Sequence, residues 1–294
     1  METIEPTSTV QPNAEPTFTF IPPTTTSASP PTVVPTNTPI PCDPRTVDFC
    51  ITDGSFLLQR PIRPPYNDSA ERTYPFASTA DGTRDPHHGV EFENEFGTPV
   101  HAAADGLVLF AGPDDVAMYS PWREYYGNLI VIEHENDLFT LYAHLSKIDV
   151  VAGDAVTVGE KIGEVGRSGA AIGSHLHFEV RRGAVEDYFS AVNPELWLTP
   201  RQSSGVISIS ITDGKSNFQR AEITIQRFSS SSELLGMYYL DIYHPSLVTK
   251  NENAAIGDLP AGRYRIALIY NGQVYERWVE VESGKLTQVV IGVE

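Results

Sequence analysis

Two histidines separated by one residue, His175 and His177, are the side chains of this sequence best suited to chemistry. In an extended strand, side chains at positions i and i+2 point to the same face, so both imidazoles would enter one space. Histidines in a strand can equally be structural, with their ring nitrogens bonded to backbone or water. The pair therefore predicts half of a zinc site only if the chain supplies further ligands.

A second polar cluster, His87-His88-Gly89-Val90-Glu91, offers those ligands. If this segment is extended, His87 and Glu91 share a face, whereas His88 and Glu91 lie on opposite faces. We therefore expect His88 to point outward or to lie behind the ligands. Together with His177, the other two residues make a set of two imidazoles and one carboxylate. Such a set leaves the fourth position of a tetrahedral zinc open for water, as in catalytic sites.

Hydrolysis of an amide at this zinc would also need a proton carrier and a donor to the developing oxyanion. Zinc itself lowers the pKa of a bound water toward roughly 7 and polarises a carbonyl. The two remaining functions fall to His175, beside the ligand His177, and to His144, at the end of a predicted strand. Three other histidines are interpreted as surface or structural residues: His101, His134 and His244.

The elements that must position these side chains are predicted to be β-strands. From residue 87 to about residue 182 the chain is a series of short β segments separated by Gly, Asp and Pro. Residues 128–134 and 138–144 are expected to pair across the polar turn 135–137. No stretch has a helical period, so the sequence predicts a compact, all-β, antiparallel domain over residues 87–200.

The last part of the chain, residues 201–294, is predicted to be a separate antiparallel β-sandwich. Polar and apolar residues alternate over four segments, and Asn271-Gly272 is a hairpin turn between the last two. The sequence Asp258-Leu259-Pro260-Ala261-Gly262-Arg263-Tyr264 resembles a loop of prealbumin-like sandwiches. We see no chemistry in this domain and interpret it as a spacer or binding module.

Four motifs in order closely resemble the lysostaphin/LytM-type peptidoglycan endopeptidases over residues 85–182. The resemblance implies an antiparallel β fold around an open groove and cleavage of peptide cross-links in the bacterial cell wall. It also implies that His87, Glu91 and His177 hold zinc. His175 would be the general base, and His144 would assist the tetrahedral intermediate. The motifs are His87-His88-Gly89-Val90-Glu91, Gly97-Thr98-Pro99-Val100 with Ala102-Ala103-Ala104-Asp105-Gly106, Tyr142-Ala143-His144-Leu145, and Gly173-Ser174-His175-Leu176-His177-Phe178-Glu179.

One position departs from the family pattern, since Glu91 stands where the family has Asp. Carboxylate ligation can survive the extra methylene, but metal geometry or metal choice could differ. The alternative hypothesis is a non-catalytic peptidoglycan-binding or hydrolase-activating scaffold of the same fold. A third is a peptidase that acts on a secreted protein. The loop 112–127 carries four aromatic residues, which could either contact substrate or only pack: Tyr119, Trp122, Tyr125 and Tyr126.

Charge and composition restrict the partners. The net charge of −18 argues against nucleic acid, which requires clustered Lys and Arg. No apolar run approaches the roughly 18 residues of a transmembrane helix. Residues 1–41 contain 10 Pro and 11 Thr, and are expected to form a disordered stalk that holds a domain at the cell surface. Because residues 1–5 do not look like a signal peptide, we expect the export or anchor segment to lie outside this sequence.

Residues 42–86 are expected to be a lead-in segment that packs on the peptidase domain. This segment contains both cysteines of the chain, Cys42 and Cys50. Their close spacing beside a surface-type sequence favours a disulfide over two unrelated thiols or metal ligands.

Overall fold

A computed structural model describes residues 42–80, 82–213, 221–248 and 252–294. The predicted stalk, residues 1–41, lies outside this described part of the chain. The predicted disulfide is present and joins Cys42 to Cys50. No helix among the described residues has the length and apolar character that a membrane span requires.

The described residues form an all-β fold, as predicted. Short 3₁₀ helices occur at Tyr188–Ser190, Pro194–Leu196 and Pro245–Leu247. The strands are β1 (Cys50–Thr52), β2 (Val90–Glu93), β3 (Pro99–His101), β4 (Gly106–Pro113), β5 (Asn128–His134), β6 (Leu138–Ala143), β7 (Lys147–Ile148), β8 (Ala155–Val156), β9 (Lys161–Glu164), β10 (His175–Arg182), β11 (Ala191–Val192), β12 (Ser204–Thr212), β13 (Glu222–Phe228), β14 (Leu234–Asp241), β15 (Ala254–Pro260), β16 (Gly262–Tyr270), β17 (Gln273–Val281) and β18 (Leu286–Gly292).

A seven-stranded antiparallel sheet positions the predicted site. Its strand order is β11-β10-β6-β5-β4-β8, and β2 pairs with β10 on the edge that β11 also uses. The hairpin of β5 and β6 is confirmed, and its turn residues Asn136 and Asp137 both have positive φ. A smaller antiparallel sheet with the order β3-β9-β7 lies beside it.

Successive side chains of a strand point to opposite sides of the sheet, so the two faces of the seven-stranded sheet carry different residues. One face of β10 carries Leu176, Phe178 and Val180, which belong to the main apolar core. The opposite face carries His175, His177, Glu179 and Arg181, next to a smaller cluster that includes Leu141 and Ala143 of β6. The main core thus supports β10 from one side while its polar side chains are presented on the other.

The C-terminal domain is a sandwich of two four-stranded sheets, as predicted. The sheets have the orders β1-β18-β12-β15 and β14-β13-β16-β17, and an apolar core lies between them. The Asn271-Gly272 turn joins β16 to β17, and both residues have positive φ as a two-residue hairpin requires. One pair departs from the predicted antiparallel arrangement. Strands β12 and β18 are parallel, because the chain passes through the rest of the domain before the last strand returns beside the first.

The lead-in segment contacts both domains and not only the domain that carries the predicted site. Its strand β1 pairs with β18 of the sandwich, whereas Gln59 N–H donates to the carbonyl of Ala103 in the other domain at 2.7 Å. Arg60 forms a partly buried ion pair of 2.6 Å with Asp258 of the sandwich. The segment therefore lies between the two domains and ties them together.

Candidate metal centre and active site

The three predicted ligands converge on one point. His87 lies just before β2, Glu91 lies within it, and His177 of β10 is the direct cross-strand partner of Glu91. His87 Nε2 lies 2.9 Å from Glu91 Oε1 and 3.2 Å from His177 Nδ1. His177 Nδ1 lies 3.0 Å from the same carboxylate oxygen. The structure thus brings together the three side chains that the sequence had grouped.

The geometry of this donor set fits a zinc ion. Zinc bound at about 2.0–2.1 Å in a tetrahedron requires ligand atoms about 3.3 Å apart, close to the three separations observed. The electrostatics also favour a cation. Burial alone would lower the pKa of His177, but Glu91 and Glu179 outweigh it and raise the pKa to about 10. His87, Glu91 and His177 would hold the metal, and the remaining side faces a groove of about 590 Å³.

Glu91 reaches two partners at once through its longer side chain. Its Oε1 faces the two histidine ligands, and its Oε2 lies 3.1 Å from His175 Nε2. Burial would raise the pKa of Glu91, but the imidazoles of His177 and His87 outweigh it and hold the pKa well below 4.5. The carboxylate is therefore ionised and able to act as a ligand. The extra methylene relative to Asp does not prevent convergence.

Gly89 explains the spacing between the first histidine and the glutamate. A Cβ atom at this position would lie 2.4 Å from the backbone oxygen of Phe178 and 3.0 Å from the ring of His177. The backbone between His87 and Glu91 must approach β10 this closely to place both donors beside His177. Glycine is thus required by contact and not by a positive φ.

A buried polar chain behind His177 was not found by the sequence reasoning. His177 Nε2 lies 3.0 Å from Glu179 Oε1, and Tyr126 donates its hydroxyl proton to the same oxygen at 2.6 Å. Arg181 donates from Nε to Glu179 Oε2 at 2.8 Å and from Nη2 to Tyr126 at 2.8 Å. The signal was present, because His177, Glu179 and Arg181 follow each other at a spacing of two on one strand.

This chain of hydrogen bonds fixes the orientation of His177, the predicted ligand. Burial would raise the pKa of Glu179, but Arg181 and then His177 outweigh it and lower the pKa, so the carboxylate is ionised. An ionised Glu179 accepts a hydrogen bond from His177 Nε2–H, which leaves Nδ1 facing His87 and Glu91. A carboxylate behind a metal-binding histidine sets its tautomer and raises its basicity.

The two predicted catalytic histidines line the same groove. Their rings make an edge contact with centroids 4.9 Å apart, and His144 lies 5.6 Å from the ring of His177. His144 Nδ1 lies 2.9 Å from the carbonyl oxygen of Ser168. Because a carbonyl only accepts, the neutral ring has its proton on Nδ1 and its Nε2 can accept one. His144 has a positive φ of 61°, a strained conformation of the kind found at functional sites.

Burial sets the charge state of both rings. Desolvation lowers the pKa of His144 to about 3, and it also lowers the pKa of His175 despite the nearby Glu91. Both imidazoles are therefore neutral at neutral pH, so each has one nitrogen able to accept a proton.

The remaining histidines have structural surroundings. His88 is buried and not outward. Its ring packs on Tyr188 at 3.6 Å, and neither of its nitrogens has a hydrogen-bond partner within the described residues. Burial lowers the pKa of His88 to about 4 and keeps it neutral. His134 bridges Asp105 O and Thr140 Oγ1, at 2.8 and 2.7 Å.

The four aromatic residues of loop 112–127 do not share one role: some pack in the interior, and one lines the groove. Tyr119 and Tyr126 are buried in the smaller apolar cluster, so they pack. Tyr125 lines the groove, where a substrate could touch it. Trp122 is 41% exposed and contacts the ring of Tyr125 at 5.2 Å.

Comparison with known proteins agrees with this site. Residues 85–194 match the model of peptidase family M23. The chain is 40% identical over 95 residues to peptidoglycan DD-endopeptidase ShyA of Vibrio cholerae, covering 32% of this chain and 20% of that protein. It is 42% identical over 95 residues to the DD-carboxypeptidase/endopeptidase Mpg of Neisseria meningitidis, with the same coverage of both.

The crystallised catalytic domain of lysostaphin from Staphylococcus simulans is 26% identical, with a TM-score of 0.33, over 50% of this chain and 89% of that one. The matches to the curated relatives span only about a fifth of their length. The resemblance predicted from the motifs is confirmed, since the match to the model of peptidase family M23 spans all four of them.

Proposed function

We propose that the protein is a zinc-dependent endopeptidase that hydrolyses peptide cross-links of bacterial peptidoglycan. The observation that carries the proposal is the convergence of three donor atoms, from His87, Glu91 and His177, at the wall of a groove that His144 and His175 also line. All five positions hold residues able to serve the reaction, which favours an enzyme over a non-catalytic scaffold.

Each residue has a role in the proposed reaction. Zinc, when bound by His87, Glu91 and His177, supplies Lewis acidity that polarises the scissile carbonyl and acidifies a water molecule. His175 accepts a proton from the attacking water and later donates it to the amine nitrogen that leaves. His144, whose neutral ring carries its proton on Nδ1, assists the tetrahedral intermediate by accepting on Nε2 a hydrogen bond from the hydroxyl group that the water adds. Glu179 holds His177 in the tautomer that presents Nδ1.

The substrate and the location are inferred from different observations. ShyA is named as a peptidoglycan DD-endopeptidase, and the similarity lies within the domain that contains the site. Peptidoglycan lies outside the cytoplasm, so we propose an extracellular or cell-surface enzyme. We further propose a lead-in at residues 42–86, the peptidase domain at 87–200 and the sandwich at 201–294.

Zinc analysis with a digest of purified peptidoglycan tests this function. The wild-type protein should contain close to one zinc per chain and release muropeptides with new amino termini. His87→Ala should lose the metal, whereas His175→Ala should keep it and lose the cleavage. A metal-free protein that binds cell walls would support the scaffold instead. Equal digestion by wild type and His175→Ala would overturn the mechanism.

A further inference from the structure

A segment outside the family match runs alongside the metal ligands. We call this segment, residues 71–78, the strap. Glu71 N–H donates to the backbone oxygen of Glu91 at 2.8 Å. Ala77 N–H donates to the oxygen of His87 at 2.7 Å, and His87 N–H donates to the oxygen of Ser78 at 2.9 Å. The strap therefore bonds to the backbone of two of the three ligands.

The strap also holds the side chain of His87. The ring of Tyr74 stacks on the imidazole with centroids 4.1 Å apart and an interplanar angle of 18°. His87 Nδ1 lies 3.2 Å from the carbonyl oxygen of Pro75. Because that oxygen only accepts, it places the proton of the neutral ring on Nδ1. The lone pair of Nε2 is then directed toward Glu91 and His177.

Other side chains of the strap contact the sandwich. Arg72 donates from Nη2 to the backbone oxygen of Gly257 at 2.8 Å, and its guanidinium lies 5.5 Å from the ring centre of Tyr238. Phe76 is buried and meets the edge of Tyr243 at 5.1 Å. The strap thus contacts the C-terminal domain on one side and His87 on the other.

We propose that the sandwich is a structural part of the metal centre and acts through the strap. Arg72 and Phe76 fix the strap against the sandwich, and Tyr74 and Pro75 orient His87 for the metal. Tyr74 is a positioning residue, since it contacts a ligand and not the reacting atoms. The inference rests on the proposed zinc site. It gives the C-terminal domain a defined role.

Zinc affinity of the full chain, measured by competition with a chromophoric chelator, tests the positioning role. Tyr74→Ala should weaken zinc binding about tenfold, the lower end of the effect of removing a group that orients a ligand. Tyr74→Phe keeps the stacked ring and should stay within about twofold of wild type, because the contact on His87 is made by the ring. Tyr66→Ala is the matched control, since Tyr66 is an exposed tyrosine of the same lead-in segment outside the strap.

The connection to the sandwich is tested at Arg72. This residue is 39% exposed, so Arg72→Ala leaves the core intact. It should weaken zinc binding about threefold, the effect of one hydrogen bond of ordinary strength. Arg277→Ala, which removes an arginine facing Asp48 at 4.0 Å at the other end of the lead-in, should not change it.

A double-mutant cycle shows whether Arg72 acts through Tyr74. If it does, Arg72→Ala should have no further effect on zinc affinity in the Tyr74→Ala protein. Near-UV circular dichroism checks that each variant is folded, and Tyr74→Leu replaces Tyr74→Ala if that variant is not.

The outcomes separate this inference from the proposed function. If the wild-type protein binds no zinc, the proposed function is wrong. Zinc binding by wild type with unchanged affinity in Tyr74→Ala and Arg72→Ala overturns the role of the strap and leaves the enzyme intact. Equal losses in Tyr66→Ala and Tyr74→Ala overturn it as well, since the effect would then not depend on contact with His87.

Discussion

Two ion pairs of the peptidase domain have nearly the same length and very different surroundings. On β10, Arg181 Nη2 lies 2.7 Å from Glu179 Oε2, and both side chains are fully buried. On β9, Lys161 Nζ lies 2.6 Å from Glu164 Oε1, with side chains 40% and 26% exposed. Distance alone would rank the two pairs as equal. Burial decides what each pair does.

The buried pair must satisfy every polar atom that it removes from water. The remaining guanidinium contacts go to Tyr126, to Tyr119 O at 2.9 Å and to Val185 O at 2.7 Å. Glu179 turns its other oxygen to Tyr126 and His177. The surface pair has a second carboxylate nearby, Asp149, but water satisfies what the protein does not. The buried pair therefore belongs to the surroundings of the predicted metal site, whereas the exposed pair lies on the surface of the domain.

The largest effect should follow from breaking the buried pair. Arg181→Met keeps much of the side-chain volume but leaves Glu179 charged and unpaired in the interior. Removing one partner of a buried pair costs about 3–5 kcal/mol of unfolding free energy. Urea denaturation followed by circular dichroism measures this loss. The double variant Arg181→Met with Glu179→Gln should recover part of it, and a double variant less stable than Arg181→Met would contradict the account.

Glu179→Gln should act mainly on the metal. Glutamine keeps an oxygen for His177 and Tyr126 but loses the charge that raises the basicity of the imidazole. We expect zinc affinity to fall about 10–100-fold, as for other groups behind metal ligands. Glu164→Gln is the control, because it makes the same change in the exposed pair and should leave zinc affinity unaltered. Equal zinc affinity in Glu179→Gln and Glu164→Gln would show that the buried pair has no special effect on the metal.

Much of the site was visible in the sequence because it depends on local periodicity. The spacing of two in β10 fixes which of its side chains share a face. The β5–β6 hairpin and the Asn271-Gly272 turn are local for the same reason. The series His177, Glu179 and Arg181 obeys the same rule, so the spacing predicts that they share a face. It does not predict that the two charged side chains are buried, because that depends on what covers the face. The pair of His87 and Glu91 was predicted from a continuous strand, but His87 lies outside β2, and the chain bends at Gly89 to bring the two donors together.

Long-range contacts could not be predicted in this way. The contact of Tyr74 with His87 depends on how the lead-in passes between two domains, and no period in the sequence records that path. The pairing of β1 with β18 joins residues more than 200 positions apart. The position of Tyr126 behind Glu179 likewise depends on the fold of the aromatic loop. Such contacts follow from packing of the whole chain and not from any single segment.

A third acidic residue, Glu195, is buried like Glu179 but, within the described part of the chain, has no cation as close as the partners of Glu179 and Glu164. It lies at the junction of the domains. It accepts from Gly257 N–H at 2.9 Å, but its nearest cation, Arg72, lies 4.0 Å away. Burial raises the pKa of Glu195 above 4.5, since this distant partner does not offset the desolvation. The stability that protonation gives is fully present below pH 4.5 and is lost as the pH rises through the folded-state pKa.

Glu195→Gln should therefore stabilise the protein at pH 7 and have a smaller effect near pH 4. Glutamine keeps the acceptor for Gly257 and carries no charge, so it mimics the protonated acid at every pH. Thermal unfolding of both proteins over pH 4–8 measures the difference. A gap between them that narrows as the pH rises would show that Glu195 is stabilised in its charged form, as Glu179 is.

The smallest effect should follow from breaking the exposed pair. Lys161→Ala removes the contacts with Glu164 and Asp149, and we expect a change of about 0–1 kcal/mol in unfolding free energy, because solvent and salt screen exposed charges. Zinc affinity should not change. Repeating the urea titration at about 1 M salt, where the Debye length falls to about 3 Å, should abolish the remaining difference from wild type. Arg181→Met should keep most of its loss at the same salt, since ions do not reach the buried pair. A loss in Lys161→Ala that equals that of Arg181→Met would mean that contact distance, and not burial, sets the strength of both pairs.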